Sequence, residues 1–199
     1  MSIEGINVEC LQRIPAAPWI CYSADAIIDE DNQVGVPPEY LHTLTLMPSG
    51  MPPHKLILKK GIPIILLRNL SPHRGLCNGT RLFVINVYDG RLLEAAIIGG
   101  QFDAQVVLIP RIACYPKDGD FPFAWRRFPV RLCFAMTINK SQGQTLMRAG
   151  IYLAEDVFAH GQLYVAASPV SHPQNIRFAL KKFPGSTVTK NIVYSGVIE

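Results

Sequence analysis

One short segment, residues 135–146, carries the densest group of side chains that could do chemistry. It reads A-M-T-I-N-K-S-Q-G-Q-T-L and follows an apolar run. Thr137 is placed to cap a helical turn, which would leave backbone N–H groups and the Lys140 ammonium facing outward to receive a phosphate. Uncharged donors that suit a nucleic-acid backbone are supplied by Ser141, Gln142 and Thr145. The segment therefore favours nucleic-acid binding without sequence readout, and the alternative is an ordinary polar loop between a strand and a helix.

Basic residues are concentrated in the middle of the chain. Between Lys55 and Arg148 there are 14 lysines and arginines against 5 acidic residues, a balance of +9 within a chain of net charge +4. The remainder has 5 basic and 10 acidic residues. A basic centre between acidic ends suits a polyanion-binding surface. A solvated basic surface without a partner is the alternative reading of the same charge pattern.

The remaining polar residues form no recognisable catalytic or metal-binding set. The five cysteines include no C-x-x-C pair and the five histidines lack ligand spacing, so we predict reduced intracellular thiols and no metal site. The segment Ile27–Glu30 superficially resembles a strand with the acidic pair that holds Mg²⁺, but the chain contains no G-x-x-x-x-G-K-[ST] phosphate loop. We interpret Asp29-Glu30-Asp31 as an exposed acidic loop, and we predict no catalytic residue and no cofactor bound by this chain alone.

The first half of the basic centre has the pattern of a small all-β module. Turn signals at 77–80, 89–90 and 99–100 separate apolar runs at about ten-residue spacing, which predicts an antiparallel barrel or sandwich between about 55 and 112. A connector rich in proline and glycine precedes it at 40–55. The predicted strands are Ile62–Leu67, Arg81–Tyr88, Arg91–Ile98 and Gln105–Ile109.

The pattern changes after Phe128. The runs Arg131–Met136 and Ala149–Leu153 predict two buried strands, and Val157–Ala167 predicts a helix, which together indicate an α/β layer. No apolar stretch reaches membrane-spanning length and the first residues lack a basic region followed by an apolar core, so we expect no membrane partner and no secretory signal.

Residues 135–146 resemble motif V of superfamily-one helicases, in the form found in PIF-type and RecD-type enzymes. His160–Ala166 is similar to the start of motif VI of the same enzymes. Further stretches resemble the helicase domain of Helitron transposon proteins, and the likeness extends over roughly residues 8 to 195. Those stretches are Tyr22–Asp25, Met47–Leu56, Leu66–Leu70, Gly75–Leu82 and Phe128–Leu132.

This resemblance implies an α/β fold in which part of a RecA-like motor domain carries an inserted small SH3-like antiparallel β-barrel, the 2B module. By this division, residues 1–54 are the N-terminal part of the second RecA-like domain and a connector, 55–128 are the 2B module, and 129–199 carry motifs V and VI. The helicases use ATP and Mg²⁺ to move along single-stranded DNA and separate duplexes. The DNA-binding residues that the resemblance implies are Thr137, Asn139, Lys140, Ser141, Gln142 and Gly143.

Two departures from the family bear on activity. The ATP-binding half is absent from this chain, and Pro169 stands where motif VI has an arginine that reaches the γ-phosphate and contributes about 10³ to 10⁵ in rate. If Pro169 lay inside a helix it would also cost roughly 3 kcal/mol. We therefore expect a C-terminal helicase fragment that binds single-stranded DNA without hydrolysing ATP by itself.

Other roles remain open at this stage. A separate polypeptide could supply the ATP-binding half, or the chain could be a non-catalytic protein-interaction remnant or a decayed transposon reading frame. Three aromatic residues near Arg126 and Arg127 could stack on bases or belong to a core. They are Phe121, Phe123 and Trp125. The resemblance alone implies a nuclear location and roles in DNA repair, recombination and telomere maintenance.

Overall fold

The computed structural model describes residues 2–27, 52–114, 123–181 and 188–194, and for residues 25–27, 114 and 123–125 it describes the backbone alone. The chain divides into two compact units, residues 1–135 (unit 1) and 136–199 (unit 2). None of the helices in the described ranges is long and apolar enough to cross a bilayer. The predicted acidic loop at 29–31, the 40–51 part of the connector, Phe121 and the side chains of Phe123 and Trp125 lie outside the described residues.

Unit 1 begins with helix α1 (Ile3–Arg13), which is capped at both ends. The Ser2 hydroxyl accepts the N–H of the residue three positions on at 3.1 Å. At the other end, Lys59 Nζ donates to the carbonyls of Leu11 and Ile14 at 3.0 and 2.7 Å. The last carbonyls of a helix lack internal partners and carry partial negative charge, so this ammonium stabilises the end of α1.

In the described part of unit 1, ten strands follow α1, and they form three antiparallel sheets. The main sheet has the strand order β10-β4-β5-β6-β7, and the smaller sheets are β1-β3 and β2-β9-β8. The strands are β1 (Trp19–Tyr22), β2 (Ala24–Ile27), β3 (Lys55–Leu58), β4 (Pro63–Leu66), β5 (Arg81–Tyr88), β6 (Leu92–Ile97), β7 (Val106–Pro110), β8 (Ile112–Cys114), β9 (Phe123–Arg127) and β10 (Val130–Leu132).

The main sheet buries one face, and its residues alternate with a period of two. In β6 the side chains of Leu93, Ala95 and Ile97 are buried, while their neighbours on the other face are half-buried. The register places Leu93 opposite Ile109 and Leu82 opposite Ile97, so buried residues of adjacent strands meet. Each fully buried Leu or Ile side chain contributes about 1.5–3 kcal/mol.

The predicted turns between these strands are confirmed. Asp89 and Gly90 have φ values of 48° and 62°, as the two central residues of a tight hairpin turn between β5 and β6 require. Gly79 has a φ of 96° in the turn that precedes β5. The predicted strands at 62–67, 81–88, 91–98 and 105–109 correspond to β4, β5, β6 and β7 with ends shifted by at most one residue. Closure of the sheet into an SH3-like barrel stays a prediction, as does the three-part domain division.

The prediction that the run Arg131–Met136 forms a buried strand of an α/β layer is wrong. The strand is β10, Val130–Leu132, and it pairs antiparallel with β4 at the edge of the main sheet of unit 1. The Cys133 N–H continues this pairing with a bond of 2.9 Å to the Pro63 carbonyl. An apolar run does not specify its partner, and the free edge of β4 satisfies the backbone groups of this one.

Unit 2 contains the parallel strands β11 (Ala149–Leu153) and β12 (Ile176–Leu180) and the short helices α2 (Ile138–Ser141) and α3 (Gln162–Ala167). The strand at 149–153 is confirmed. Its core includes Ile151, Leu153, Val157 and Ala166.

The helix predicted at 157–167 is shorter than expected. It begins at Gln162, since Gly161 adopts a left-handed φ of 69°. The Gln162 side chain accepts the backbone N–H groups of Phe158 and Ala159 at 2.9 and 3.2 Å, which holds the preceding residues out of the helix.

Candidate nucleic-acid interface

The centre of the candidate site is the single helical turn α2. Thr137 precedes it in an extended conformation, and its hydroxyl accepts the Lys140 N–H at 3.3 Å. The Thr137 carbonyl accepts the same N–H at 3.0 Å. The predicted cap is therefore confirmed, and it fixes the backbone from which Lys140 projects.

Five of the six predicted site residues share one property, which is exposure to solvent. They lie within seven consecutive residues of unit 2, around the lysine. In the ranges that the structure describes, Lys140 makes no ion pair, so its charge is available to an anion. The exposed residues are Thr137, Asn139, Lys140, Gln142 and Gly143.

Ser141 is different, because it is buried within unit 2. Its side chain is 7% exposed and its hydroxyl donates to the Ile138 carbonyl at 2.7 Å. The same oxygen lies 3.5 Å from the Val165 carbonyl of α3. In this conformation the Ser141 hydroxyl is used inside the unit, where it holds α2 against α3.

The segment after α2 is anchored at its far end. Gly143 has a left-handed φ of 74° and open space where a Cβ would be. The Gln144 N–H donates to the Ser141 carbonyl at 3.0 Å, which closes the turn. Two residues later the Leu146 N–H donates to the Pro169 carbonyl at 2.8 Å, and Leu146 forms a parallel bridge with Val170. The exposed residues therefore sit on a short loop that is held on both sides.

Pro169 does not break a helix. Helix α3 ends at Ala167, Ser168 is its C-cap, and Pro169 follows as a buried residue. Proline is common just beyond a helix C-terminus, because its missing N–H is not needed there. The conditional cost of a proline inside a helix therefore does not arise.

No pattern in the sequence predicts that residues 188–194 contact the segment His160–Ala166. The Tyr194 N–H donates to His160 Nδ1 at 2.9 Å, and the two rings stack with centroids 5.2 Å apart. The Gly161 N–H donates to the Ile192 carbonyl at 3.2 Å. These contacts join residues more than thirty positions apart, so no local pattern could have revealed them.

The described residues contain no group of three or more His, Cys, Asp or Glu side chains that could hold a metal ion. Among the described residues, the titratable groups with a shifted pKa are two thiols of unit 1. Burial raises the pKa of the Cys21 thiol against the opposing charge of Arg111. Burial also raises the pKa of Cys133, which the nearby Arg81 and Arg131 oppose. Both thiols are therefore protonated near neutral pH.

Comparisons with known proteins show which helicases this chain is similar to. Residues 39–87 match the model of the 2B domain of the DNA helicase Pif1. The human ATP-dependent DNA helicase PIF1 is 37% identical over 124 residues, covering 61% of this chain and 19% of the relative. The rat enzyme of the same name is 34% identical over 169 residues, covering 83% and 24%. This chain is related to the Pif1 helicases. It spans about a fifth to a quarter of the length of these relatives.

Solved Pif1 structures share the fold. A Pif1 helicase from Candida albicans is 22% identical and superposes with a TM-score of 0.65, covering 98% of this chain and 46% of that one. A Pif1 helicase from Bacteroides in complex with ADP-AlF3 and single-stranded DNA gives 0.63 at 19% identity, covering 98% and 41%. The resemblance to PIF-type helicases is confirmed, and the fold is that of part of a Pif1 helicase.

Proposed function

We propose that this chain is part of a Pif1-type DNA helicase and binds single-stranded DNA through residues 137–143. The observation that carries the proposal is the anchored loop that presents Lys140 among exposed hydroxyl and amide side chains. The relation to Pif1 supports it, since a Bacteroides Pif1 was crystallised bound to single-stranded DNA.

Each residue of the loop has a different role in binding. The Lys140 ammonium attracts a phosphate, and Thr137, Asn139 and Gln142 donate to backbone oxygens. Gly143 lets the strand approach the loop closely, because it lacks a side chain. Such contacts fix the position of a strand and carry no sequence information. Ser141 acts indirectly, by holding α2 on α3.

We further propose that the chain does not hydrolyse ATP by itself. The residues present do not fit a nucleotide, because the sequence holds no phosphate loop and position 169 is a buried proline. The relatives are named ATP-dependent helicases. ATP and Mg²⁺ would be held by an ATP-binding half outside this chain.

We propose the finer assignment to the Helitron class on the stretches named above, such as Met47–Leu56 and Gly75–Leu82. A nuclear location and roles in DNA repair, recombination and telomere maintenance are proposed from the family resemblance alone. The division into a 2B module and a RecA-like part is proposed on the same basis. Residues 39–87, which match the 2B model, overlap the proposed module at 55–128.

A direct test is fluorescence anisotropy of a labelled single-stranded oligonucleotide over a salt series. We expect Lys140→Ala to weaken binding and to lower the slope of log K against log salt by about 0.7, the value for one phosphate contact. Lys181→Ala removes the same charge from another exposed lysine of unit 2 and is expected to change neither. A folded wild-type sample that fails to bind at low salt would exclude this function.

A second candidate role, docking of a separate ATP-binding half, is favoured by one feature of unit 2. The two-stranded parallel sheet has a face on which Gly150, Tyr152, Arg177 and Ala179 are all exposed. Parallel sheets are normally covered on both faces. Mixing the chain with a Pif1-type ATP-binding half tests this role, and unchanged elution of both in gel filtration, with no DNA-stimulated ATPase, would exclude it.

A further inference from the structure

The loop that joins β4 to β5, residues 68–80, is basic and exposed. It reads R-N-L-S-P-H-R-G-L-C-N-G-T and holds two arginines and a histidine with no acidic residue. Its solvent-facing residues are Arg68, Asn69, Pro72, His73, Arg74 and Asn78. We refer to residues 68–80 as the basic loop.

The backbone of the basic loop is closed on itself. Ser71 and Leu76 exchange two N–H···O bonds of 3.1 and 3.0 Å, and the Leu70 N–H donates to the Leu76 carbonyl at 2.9 Å. Between them lies a 3₁₀ turn, Pro72–Arg74, which ends at Gly75 with a left-handed φ of 76°. At the base, Gly79 N–H donates to the carbonyl of the last residue of β4 at 2.8 Å.

Side chains tie the two arms of the loop together. The Asn69 Oδ1 accepts the Asn78 N–H at 2.7 Å. The Thr80 hydroxyl donates to the Gly75 carbonyl at 2.7 Å and accepts the Cys77 N–H at 3.1 Å. These bonds restrict the loop to one conformation.

Apolar contacts hold the loop on the body of unit 1. Leu76 is 5% exposed and belongs to the core, and Leu70 packs against that core. Gly75 lies so close to the Phe102 ring that a Cβ there would clash. The large apolar side chains of the loop therefore point inward, and the outward surface is left to two arginines, a histidine, two amides and one proline.

Neither Arg68 nor Arg74 makes an ion pair within the described ranges, so their charges are not neutralised there. A guanidinium offers paired donors that match a phosphate, and it is less strongly hydrated than an ammonium. Because the loop is already ordered, binding through it costs less conformational entropy than binding through a flexible one. A protein partner would be expected to meet apolar anchors, which the outward surface lacks.

We propose that the basic loop is a second nucleic-acid contact of this chain, in unit 1, and that Arg68 and Arg74 bind phosphates of the backbone. The inference goes beyond the proposed function, which assigns binding to residues 137–143 of unit 2. The ligand is a phosphodiester backbone, and single-stranded and duplex DNA are the two probes that distinguish its source.

The test compares two double variants of equal charge. Arg68→Gln with Arg74→Gln removes the loop arginines, and Lys60→Gln with Arg91→Gln removes two exposed cations elsewhere in unit 1. We expect the loop variant to bind roughly tenfold more weakly, with the salt slope lower by about 1.4 for single strands or 1.8 for duplex. The control pair is expected to retain the wild-type salt slope with whichever of the two DNA probes the wild-type chain binds more tightly. An equal loss in both pairs would mean diffuse charge and would overturn the proposal.

A third variant tests the order of the loop without changing its charge. Asn69→Ala removes the bond to the Asn78 N–H, and we expect about threefold weaker binding at an unchanged salt slope. An Asn69→Ala protein that binds like wild type would overturn the preorganisation argument.

Lys140→Ala separates this inference from the proposed function. If Lys140→Ala weakens DNA binding while the loop variant binds like its control, the proposed function stands and the basic loop is excluded as a DNA contact. If only the loop variant binds DNA more weakly, the basic loop stands as a DNA contact and the proposed function is excluded. If the loop variant binds an acidic protein more weakly than wild type does, but binds both DNA probes with wild-type affinity, the loop is a protein-binding site and the proposal is overturned.

Discussion

Lys140 and Ser141 are adjacent in the sequence, and the fold gives them opposite surroundings. The lysine is exposed and the serine is 7% exposed, with its hydroxyl bonded to the Ile138 carbonyl. A motif identifies both as site residues and cannot separate a residue that touches DNA from one that positions its neighbour. Burial makes the separation, since a group that already donates inside the unit has little to offer a phosphate.

Ser141→Ala is a prediction at this scale. It removes a buried hydroxyl and leaves the Ile138 carbonyl without that donor, so we expect a loss of about 1 kcal/mol in the free energy of unfolding of unit 2. Urea denaturation measures it, with Ser168→Ala as the exposed control. If Ser141 instead contacts DNA directly, Ser141→Ala will lower DNA affinity with unchanged stability.

A second residue-scale prediction concerns Cys133, whose pKa is raised by burial. The unfolded thiol ionises near its ordinary pKa of 9.0, while the folded thiol, whose pKa is raised, remains protonated there. The unfolded state then binds fewer protons, so stability falls as the pH rises above that value and is constant below it. Urea midpoints between pH 7 and pH 10 measure the fall, and Cys133→Ala should reduce it. A fall of equal size in the variant would assign the effect to other groups.

At the scale of elements, local chemistry explains the hairpin turn and the late start of α3, while a contact distant in sequence caps the end of α1. Asp89 and Gly90 form the tight hairpin turn that an Asp-Gly pair favours, because both residues adopt a positive φ. Helix α1 ends where Lys59, forty-five positions from Ile14, reaches its last carbonyls. Helix α3 starts late because Gln162 bonds the two N–H groups before it.

Lys59→Met tests the cap on α1 and keeps the length of the apolar stem. We expect a loss of about 1 kcal/mol in stability, because two helix carbonyls lose a charged donor. Lys60→Met is the matched control, since Lys60 is exposed in the following turn. Equal melting temperatures for the two variants would contradict a stabilising role for the cap.

The alternation of the main sheet gives a second element-scale prediction. Leu93→Ala creates a cavity beneath the sheet, where Leu93 is 0% exposed, and should cost about 2–5 kcal/mol. Leu92→Ala changes the adjacent, half-buried residue on the other face and should cost clearly less. Urea denaturation of both proteins compares them. Similar losses would mean that the outer face is as well packed as the inner one.

At the scale of the whole molecule, the chain has the fold of part of a Pif1 helicase and covers 46% of the Candida albicans structure. Unit 2 leaves a sheet face exposed, and its large apolar side chains include Tyr152 at 42% exposure and Tyr164 at 74%. Exposed apolar side chains on an uncovered sheet face favour association.

We therefore expect the isolated chain to self-associate with rising concentration. Tyr152→Lys should shift the weight-average mass toward the monomer in light scattering, because it places a charge on the uncovered sheet face. Tyr22→Lys, which alters an exposed tyrosine of unit 1, serves as the control. A monodisperse wild-type monomer across the concentration range would contradict this expectation.

The sequence by itself determined the features that depend on neighbours along the chain. Strand periodicity located β4 to β7, the Asp-Gly and Asn-Gly pairs located the turns, and the run 135–146 pointed to the helicase family. Only the tertiary structure decided that β10 pairs with β4, that Ser141 is buried, and that Tyr194 contacts His160. These features depend on contacts between residues far apart in sequence. The local sequence around an apolar or polar residue does not specify which distant residue it will contact.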